Sequence, residues 1–103
     1  MLLRLVRLPL HPHHVAAFQQ LFAASQARIR QQPGCLHLAA GPDAAQPHTY
    51  CTVSYWRDAA ALDAYRRSAF FGEVWPATKR LLAAPPEAFS VELPDFGGEG
   101  AGG

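Results

Sequence analysis

Residues 50–82, YCTVSYWRDAAALDAYRRSAFFGEVWPATKRLL, decide the fold because they join an aromatic strand to two successive helical pieces, each with its own N-cap. The β-branched and aromatic residues end at Trp56, and Asp58 follows at the position of a helix N-cap. Large apolar residues then recur every three or four positions, and Ser68 provides a second N-cap. The pattern predicts a strand followed by helical pieces over 58–67 and 68–82, with Pro76 kinking or restarting the second.

The rest of the chain adds three strands and one helix. An apolar stripe predicts a helix from His13 or His14 to about Arg30, which Pro33 and Gly34 end, the glycine being free to adopt positive φ. The strands are predicted over 2–8, 35–40, 48–56 and 88–93. The order β-α-β-β-α-β predicts an α+β, ferredoxin-like fold, an antiparallel sheet with both helices on one face.

The alternation of side chains along the strands predicts which face each residue occupies. We expect the helix-facing core to include Leu36 and Leu38 on the second strand, and Phe89, Val91 and Leu93 on the last. The first strand is apolar on both sides, so the helix-free face should be covered as well. A second copy of the chain is the simplest cover, and we therefore expect a homodimer.

Composition limits the classes of protein to which the chain can belong. Its 103 residues suffice for one domain, predicted over 1–93, followed by a glycine-rich tail over 94–103 that we expect to be flexible. A net charge of +1 gives no electrostatic footprint for nucleic acid or for a membrane surface. The N-terminus fails as a signal peptide, and two cysteines are too few for a disulfide framework, so we expect a cytoplasmic protein.

Two groups of potential metal ligands stand out, but neither predicts a metal site. If the loop between the second and third strands is centred near Ala44, His37 lies roughly opposite Cys51, with Cys35 diagonal to it. This trio matches no strong zinc spacing, and lone buried cysteines usually act as small hydrophobes. The histidines at 11, 13 and 14 precede a helix in a proline-bounded loop, where solvation is the simpler interpretation.

Four aromatic residues form the strongest candidate for a binding site. Trp56, Tyr65, Phe71 and Trp75 can converge between the sheet and the helices, with Tyr50 at the rim. Ordinary core packing explains such a cluster about as well as a pocket does. The broken helix and the polar tips of these side chains favour a pocket for a small aromatic ligand.

No familiar catalytic motif accompanies these aromatics. The chain has no nucleophile elbow, no phosphate-binding glycine loop and no evident carboxylate pair. An RNA-recognition domain of this topology would carry an aromatic residue on the first strand and a basic, glycine-containing third strand, and both are missing. A metabolite-sensing ACT-like module stays open, although the link between the first strand and first helix lacks the usual glycine.

The spacing of Trp56, Asp58, Leu62, Tyr65, Ser68 and Phe71, written W-x-D-x-x-x-L-x-x-Y-x-x-S-x-x-F, resembles that of the antibiotic biosynthesis monooxygenase (ABM) family. The likeness extends over residues 2–93. It implies a dimeric α+β barrel, in which two sheets pack face to face. Some members of the family oxidise phenolic or quinol substrates with O₂ and no cofactor, some degrade haem, and many have no established activity.

The resemblance also implies roles for particular residues. Haem-degrading relatives use an asparagine on the first strand and an iron-ligating histidine on the second helix, but this chain has no asparagine, and Trp75 occupies the histidine's position. We therefore expect no cofactor and no metal. Tyr65 takes the motif position where relatives carry a hydrogen-bonding side chain, and His37 is the fallback general base. Trp56, Phe71, Trp75 and Tyr50 would bind the substrate.

Two functions follow as hypotheses. The first is a cofactor-independent monooxygenase that acts on a small aromatic or quinol-like substrate with O₂. The second is a non-catalytic dimer that keeps the ABM fold for ligand binding or structure. Oxygen consumption with hydroquinones and anthrones would distinguish them.

Overall fold

The computed structural model describes residues 1–94, which form one four-stranded antiparallel sheet and three α-helices. The elements are β1 (Leu2–Pro9), α1 (Val15–Arg30), β2 (Cys35–Pro42), β3 (Thr49–Trp56), α2 (Ala59–Arg66), α3 (Ala69–Lys79) and β4 (Glu87–Glu92), with a 3-10 turn over Pro12–His14. The strand order is β2-β3-β1-β4. This is the predicted ferredoxin-like fold, with its second helix divided into α2 and α3. Apart from Pro94, the predicted tail lies outside the described residues.

The two helix starts that the sequence predicts are both present. The side chain of Asp58 accepts a hydrogen bond from the Ala61 backbone N–H at 2.8 Å, and Ser68 Oγ accepts one from the Phe71 N–H at 3.1 Å. Each cap satisfies a donor that the first turn of a helix leaves free. Helix α3 continues through Pro76 and ends at Lys79, three residues before the predicted end at 82. No helix within residues 1–94 is long and apolar enough to cross a membrane.

Strand pairing divides the sheet into two faces. Leu5 of β1 lies opposite Val53 of β3 and Phe89 of β4, and directly opposed residues of antiparallel strands share a face. The helix face carries the buried Leu2, Leu8, Leu38 and Trp56. The opposite surface, here called the open face, carries Leu3, Leu5, Ala39, Val53, Tyr55, Phe89 and Val91.

The prediction that Phe89 and Val91 of β4 face the helix-covered core is wrong, because these side chains lie on the opposite side of the strand. Phe89 and Val91 lie on the open face and are 52% and 38% exposed, because the register of β4 places them beside Leu5 and Leu3. A shift of one residue moves every side chain of a strand to the other face. Leu36, also predicted to be core, is 57% exposed, because an irregularity in pairing between Cys35 and His37 interrupts the alternation of β2. Leu38 is buried as predicted.

The hairpin between β2 and β3 turns two residues later than predicted, which separates the proposed trio of metal ligands. Its register pairs Pro42 with Tyr50, so Cys51 lies opposite Gly41, whereas Cys35 lies opposite Trp56. The five positions between residues 51 and 56 correspond to roughly 17 Å along a strand. Within residues 1–94, no group of His, Cys, Asp or Glu side chains is placed to hold a metal ion.

Gly34 sets the turn from α1 into β2. Its φ is +84°, as the sequence predicts, and its carbonyl oxygen accepts a hydrogen bond from the Arg57 N–H at 2.8 Å. A Cβ atom at this position would lie 2.5 Å from the Cβ of Ala61 on α2. The glycine therefore supplies both a left-handed backbone and the space for α2 to approach.

Candidate functional site

A cavity of about 280 Å³ lies between the helix face of the sheet and the three helices. This volume is close to the lower end of the ~300–1,000 Å³ range of small-molecule pockets. All four strands and all three helices contribute to its walls, which are mainly aliphatic and aromatic. The apolar wall residues include Val6, Phe18, Phe22, Leu38, Leu62 and Val74.

Trp56, Tyr65, Phe71 and Trp75 all line this cavity. The rings of Trp56 and Tyr65 are stacked with centroids 5.3 Å apart, and Tyr65 meets Phe71 edge-on at 5.1 Å. Phe71 and Trp75 are stacked at 6.0 Å. The end of β3 and the two capped helices thus hold a continuous aromatic wall, in geometries that aromatic pairs prefer. The role of this wall in substrate binding stays a prediction.

Most polar groups around the cavity are already hydrogen-bonded to their own element. Trp56 Nε1 donates to Ser54 Oγ at 2.9 Å, Ser25 Oγ donates to a carbonyl of α1, and Thr78 Oγ1 donates to one of α3. The hydroxyls of Thr52 and Tyr65 form no hydrogen bond to another residue within 1–94. These two hydroxyls are therefore free to bond a ligand.

Burial controls the chemistry of Tyr65. Removal of the phenol from water, and to a lesser extent the neighbouring Cys35, raises the pKa of Tyr65 to about 12. At neutral pH the side chain is a protonated hydrogen-bond donor, not a base. A donor of this kind stabilises an oxygen atom on which negative charge develops.

The cavity wall carries no conventional general base among the described residues. The titratable side chains that line it are Arg4, Tyr65 and Arg66, with no carboxylate, imidazole or thiol. Arg4 interrupts the apolar sequence of β1 and lies on the side of the strand that faces the cavity. Sequence reasoning assigned no role to Arg4 or to Arg66.

Two residues predicted for the site lie elsewhere. His37 is exposed on the open face, opposite Tyr55, with ring centroids 5.5 Å apart. The sheet separates it from the cavity of its own chain, so the geometry does not bring this imidazole to the aromatic wall. Tyr50 packs against Phe18 and its hydroxyl accepts a hydrogen bond from Gln19 Nε2 at 2.7 Å. It does not line the cavity.

The histidines ahead of α1 cluster without forming a metal centre. Their ring centroids lie 4.2 to 5.5 Å apart, and Nδ1 of His14 is buried without a hydrogen-bond partner among the described residues. His11 and His13 complete the group, which does not have the convergence of a metal-ligand set.

A ferredoxin-like domain with an aromatic cavity under its sheet is a class shared by many small enzymes and binding proteins. The model of the antibiotic biosynthesis monooxygenase family matches residues 1–75 of this chain. The chain therefore belongs to that family, as the Trp56-to-Phe71 motif predicts. No curated protein matches it significantly.

Solved structures agree on the fold. A crystal structure of an antibiotic biosynthesis monooxygenase has a TM-score of 0.82 at 20% identity, with 90% of this chain and 98% of that chain covered. A crystal structure of a Deinococcus radiodurans protein, provisionally assigned to the same activity, has a TM-score of 0.83 at 21% identity. The match covers 92% of this chain and 94% of that chain. A conserved protein of Methanosarcina mazei has a TM-score of 0.83 at 22% identity, with 89% of this chain and 92% of that chain covered.

Proposed function

We propose that the protein is a cofactor-independent monooxygenase that oxidises a small aromatic, quinol-like substrate with O₂. The observation that carries this proposal is the aromatic wall around a cavity with a free, protonated phenol, Tyr65, in a chain of the ABM family. The stacked rings suit a flat substrate. The aliphatic remainder of the wall excludes water from a reactive anion.

The chemistry requires the substrate to supply the electrons. Deprotonation gives a delocalised anion, and the Tyr65 hydroxyl donates a hydrogen bond to its oxygen atom. The anion reduces O₂; one oxygen atom enters the substrate as a carbonyl and the other leaves as water. For an anthrone, a CH₂ group becomes C=O, which balances the atoms and the four electrons. An acidic substrate suits the site, because no conventional base lines the cavity among the described residues.

Oxygen consumption by metal-free protein tests the proposal, with hydroquinones and anthrones as substrates. Tyr65→Phe keeps the ring and removes the hydroxyl, so turnover should fall roughly 100-fold while substrate affinity changes little. Tyr50→Phe is the matched control, because its hydroxyl bonds Gln19 outside the cavity. Equal turnover by Tyr65→Phe and wild type would contradict the assigned role.

The lack of a conventional general base in the described wall also favours a second candidate, a dimer that binds an aromatic ligand without transforming it. In this case calorimetry detects binding of the same aromatic compounds, whereas oxygen consumption does not exceed the rate without protein. A result with binding and no turnover selects this candidate over the enzyme.

A homodimer forms part of the proposal. The open face exposes Phe89 and Val91 beside Leu3 and Leu5, an apolar surface that a second copy would cover by packing sheet against sheet. We place the dimer in the cytoplasm, where the free thiols of Cys35 and Cys51 would stay reduced.

A further inference from the structure

Two arginine side chains meet the cavity at one end. Arg4 projects from β1 on the helix face, and Arg66 is the last residue of α2. Both line the cavity, and both also line an adjoining surface groove together with Asp63 and Ser90. The two guanidinium groups therefore stand where the apolar interior opens to water.

Neither arginine is neutralised by a carboxylate within the described residues. Arg4 donates a hydrogen bond to the neutral Ser90 Oγ at 3.3 Å, and Arg66 forms no ion pair there. Other arginines do have acidic partners. Arg7 binds Asp43 and Glu87 at 3.1 and 2.6 Å.

The acidic side chains near this end of the cavity form no ion pair with Arg4 or Arg66 within the described residues. Asp63 forms its ion pair with Arg67. Glu92 lies two positions beyond Ser90 on β4 and forms no ion pair with either arginine. Burial first, and then the charge of Arg66, lower the pKa of Arg4. An anion bound here would offset both the lost hydration and the repulsion.

We propose that Arg4 and Arg66 bind the carboxylate of an aromatic acid, whose ring lies against the aromatic wall of the cavity. This inference rests on the proposed function and specifies the class of its substrate. A guanidinium group presents paired N–H donors that match a carboxylate, and the bond is stronger where water is partly excluded. A negatively charged ligand is favoured over a neutral one of equal shape.

A matched pair of unreactive ligands tests this selectivity. 2-Naphthoate and 2-naphthamide share one ring system and differ in charge. Calorimetry on the full chain should give 2-naphthoate a roughly ten-fold lower Kd, and added salt should weaken its binding alone. Arg4→Gln and Arg66→Gln should each reduce the preference, and the double variant should remove it. The affinity for 2-naphthamide should stay unchanged.

Two further variants make the test specific. Arg4→Lys keeps the charge without the paired donors and should retain part of the preference. Lys79→Gln removes one positive charge at an exposed position outside the cavity and should retain all of it. Equal affinity of the wild type for both ligands would overturn this inference alone. Failure of both ligands to bind would overturn the proposed aromatic site as well.

Discussion

Tyr65 and Trp56 show how the surroundings of a side chain decide its role. Both belong to the family motif, both are buried and their rings are stacked. The indole N–H of Trp56 is bonded to Ser54, so Trp56 can act only as an apolar wall. The hydroxyl of Tyr65 has no such partner among residues 1–94 and is available to a ligand.

Gly34 makes a testable contribution to the same region. Gly34→Ala forces a Cβ atom toward Ala61 and places a side chain at φ +84°, so it should lower the free energy of unfolding by about 2 to 4 kcal/mol. Gly72→Ala is the matched control. Gly72 lies in α3 with open space around its Cβ position, and alanine there should raise stability by roughly 0.5 to 1 kcal/mol. Urea unfolding measures both, and similar effects of the two substitutions would contradict this account.

The hairpin of β2 and β3 is stabilised by one carboxylate. Asp43 Oδ1 accepts a hydrogen bond from the Ala45 N–H at 2.7 Å, and Oδ2 contacts the Arg7 guanidinium. The Ala45 bond, and then Arg7, lower the pKa of Asp43 from its ordinary value of 3.8. These contacts hold Asp43 at the start of the loop, directly after β2 ends at Pro42.

The sign of the resulting pH dependence follows from that lowered pKa. The folded protein binds fewer protons at Asp43 than the unfolded chain, so the contribution of this residue is present above pH 3.8 and is lost as pH falls further. Asp43→Asn should be less stable than wild type at pH 7, and the difference should shrink below pH 3.8. The midpoints of urea unfolding, recorded for both proteins over a series of pH values, measure this difference in stability. In an Arg7→Met background the same substitution should have a smaller effect at pH 7, and an unchanged effect would exclude the ion pair as a cause.

In a single chain, the open face leaves large apolar side chains such as Phe89 and Val91 exposed to water. Its large apolar residues lie on β1, β3 and β4, and the other sides of these strands form part of the cavity wall. A second sheet packed against it would bury Phe89 and Val91. It would also make the strands that carry Arg4 and Trp56 more rigid, by covering their exposed side.

Phe89→Glu tests the dimer directly. A charge at the centre of an apolar interface should shift the protein to an ~11 kDa monomer at micromolar concentration, because burial of an unpaired carboxylate is costly. Ala23→Glu introduces the same charge on the exposed side of α1 and should leave the dimer intact. Analytical ultracentrifugation distinguishes the two states. A wild-type protein that sediments only as a monomer at these concentrations would refute the dimer.

The sequence alone determined the element order, both helix caps, the left-handed glycine and the family. These features are local, because each depends on residues a few positions apart, such as Ser68 and the N–H of Phe71. The four aromatic residues of the cavity wall could be named for the same reason. Their spacing places them on one strand end and on the inner sides of two successive helices.

Only the tertiary structure decided the faces of β4, the separation of Cys35 from Cys51, and the packing of Tyr50 against Phe18. The first two depend on strand register, and a shift of one residue reverses a face without changing the local pattern. The arginines at the cavity entrance were beyond sequence reasoning for a related reason. Arg4 and Arg66 are 62 positions apart, and they line one cavity because α2 packs on the helix face of the sheet, against β3.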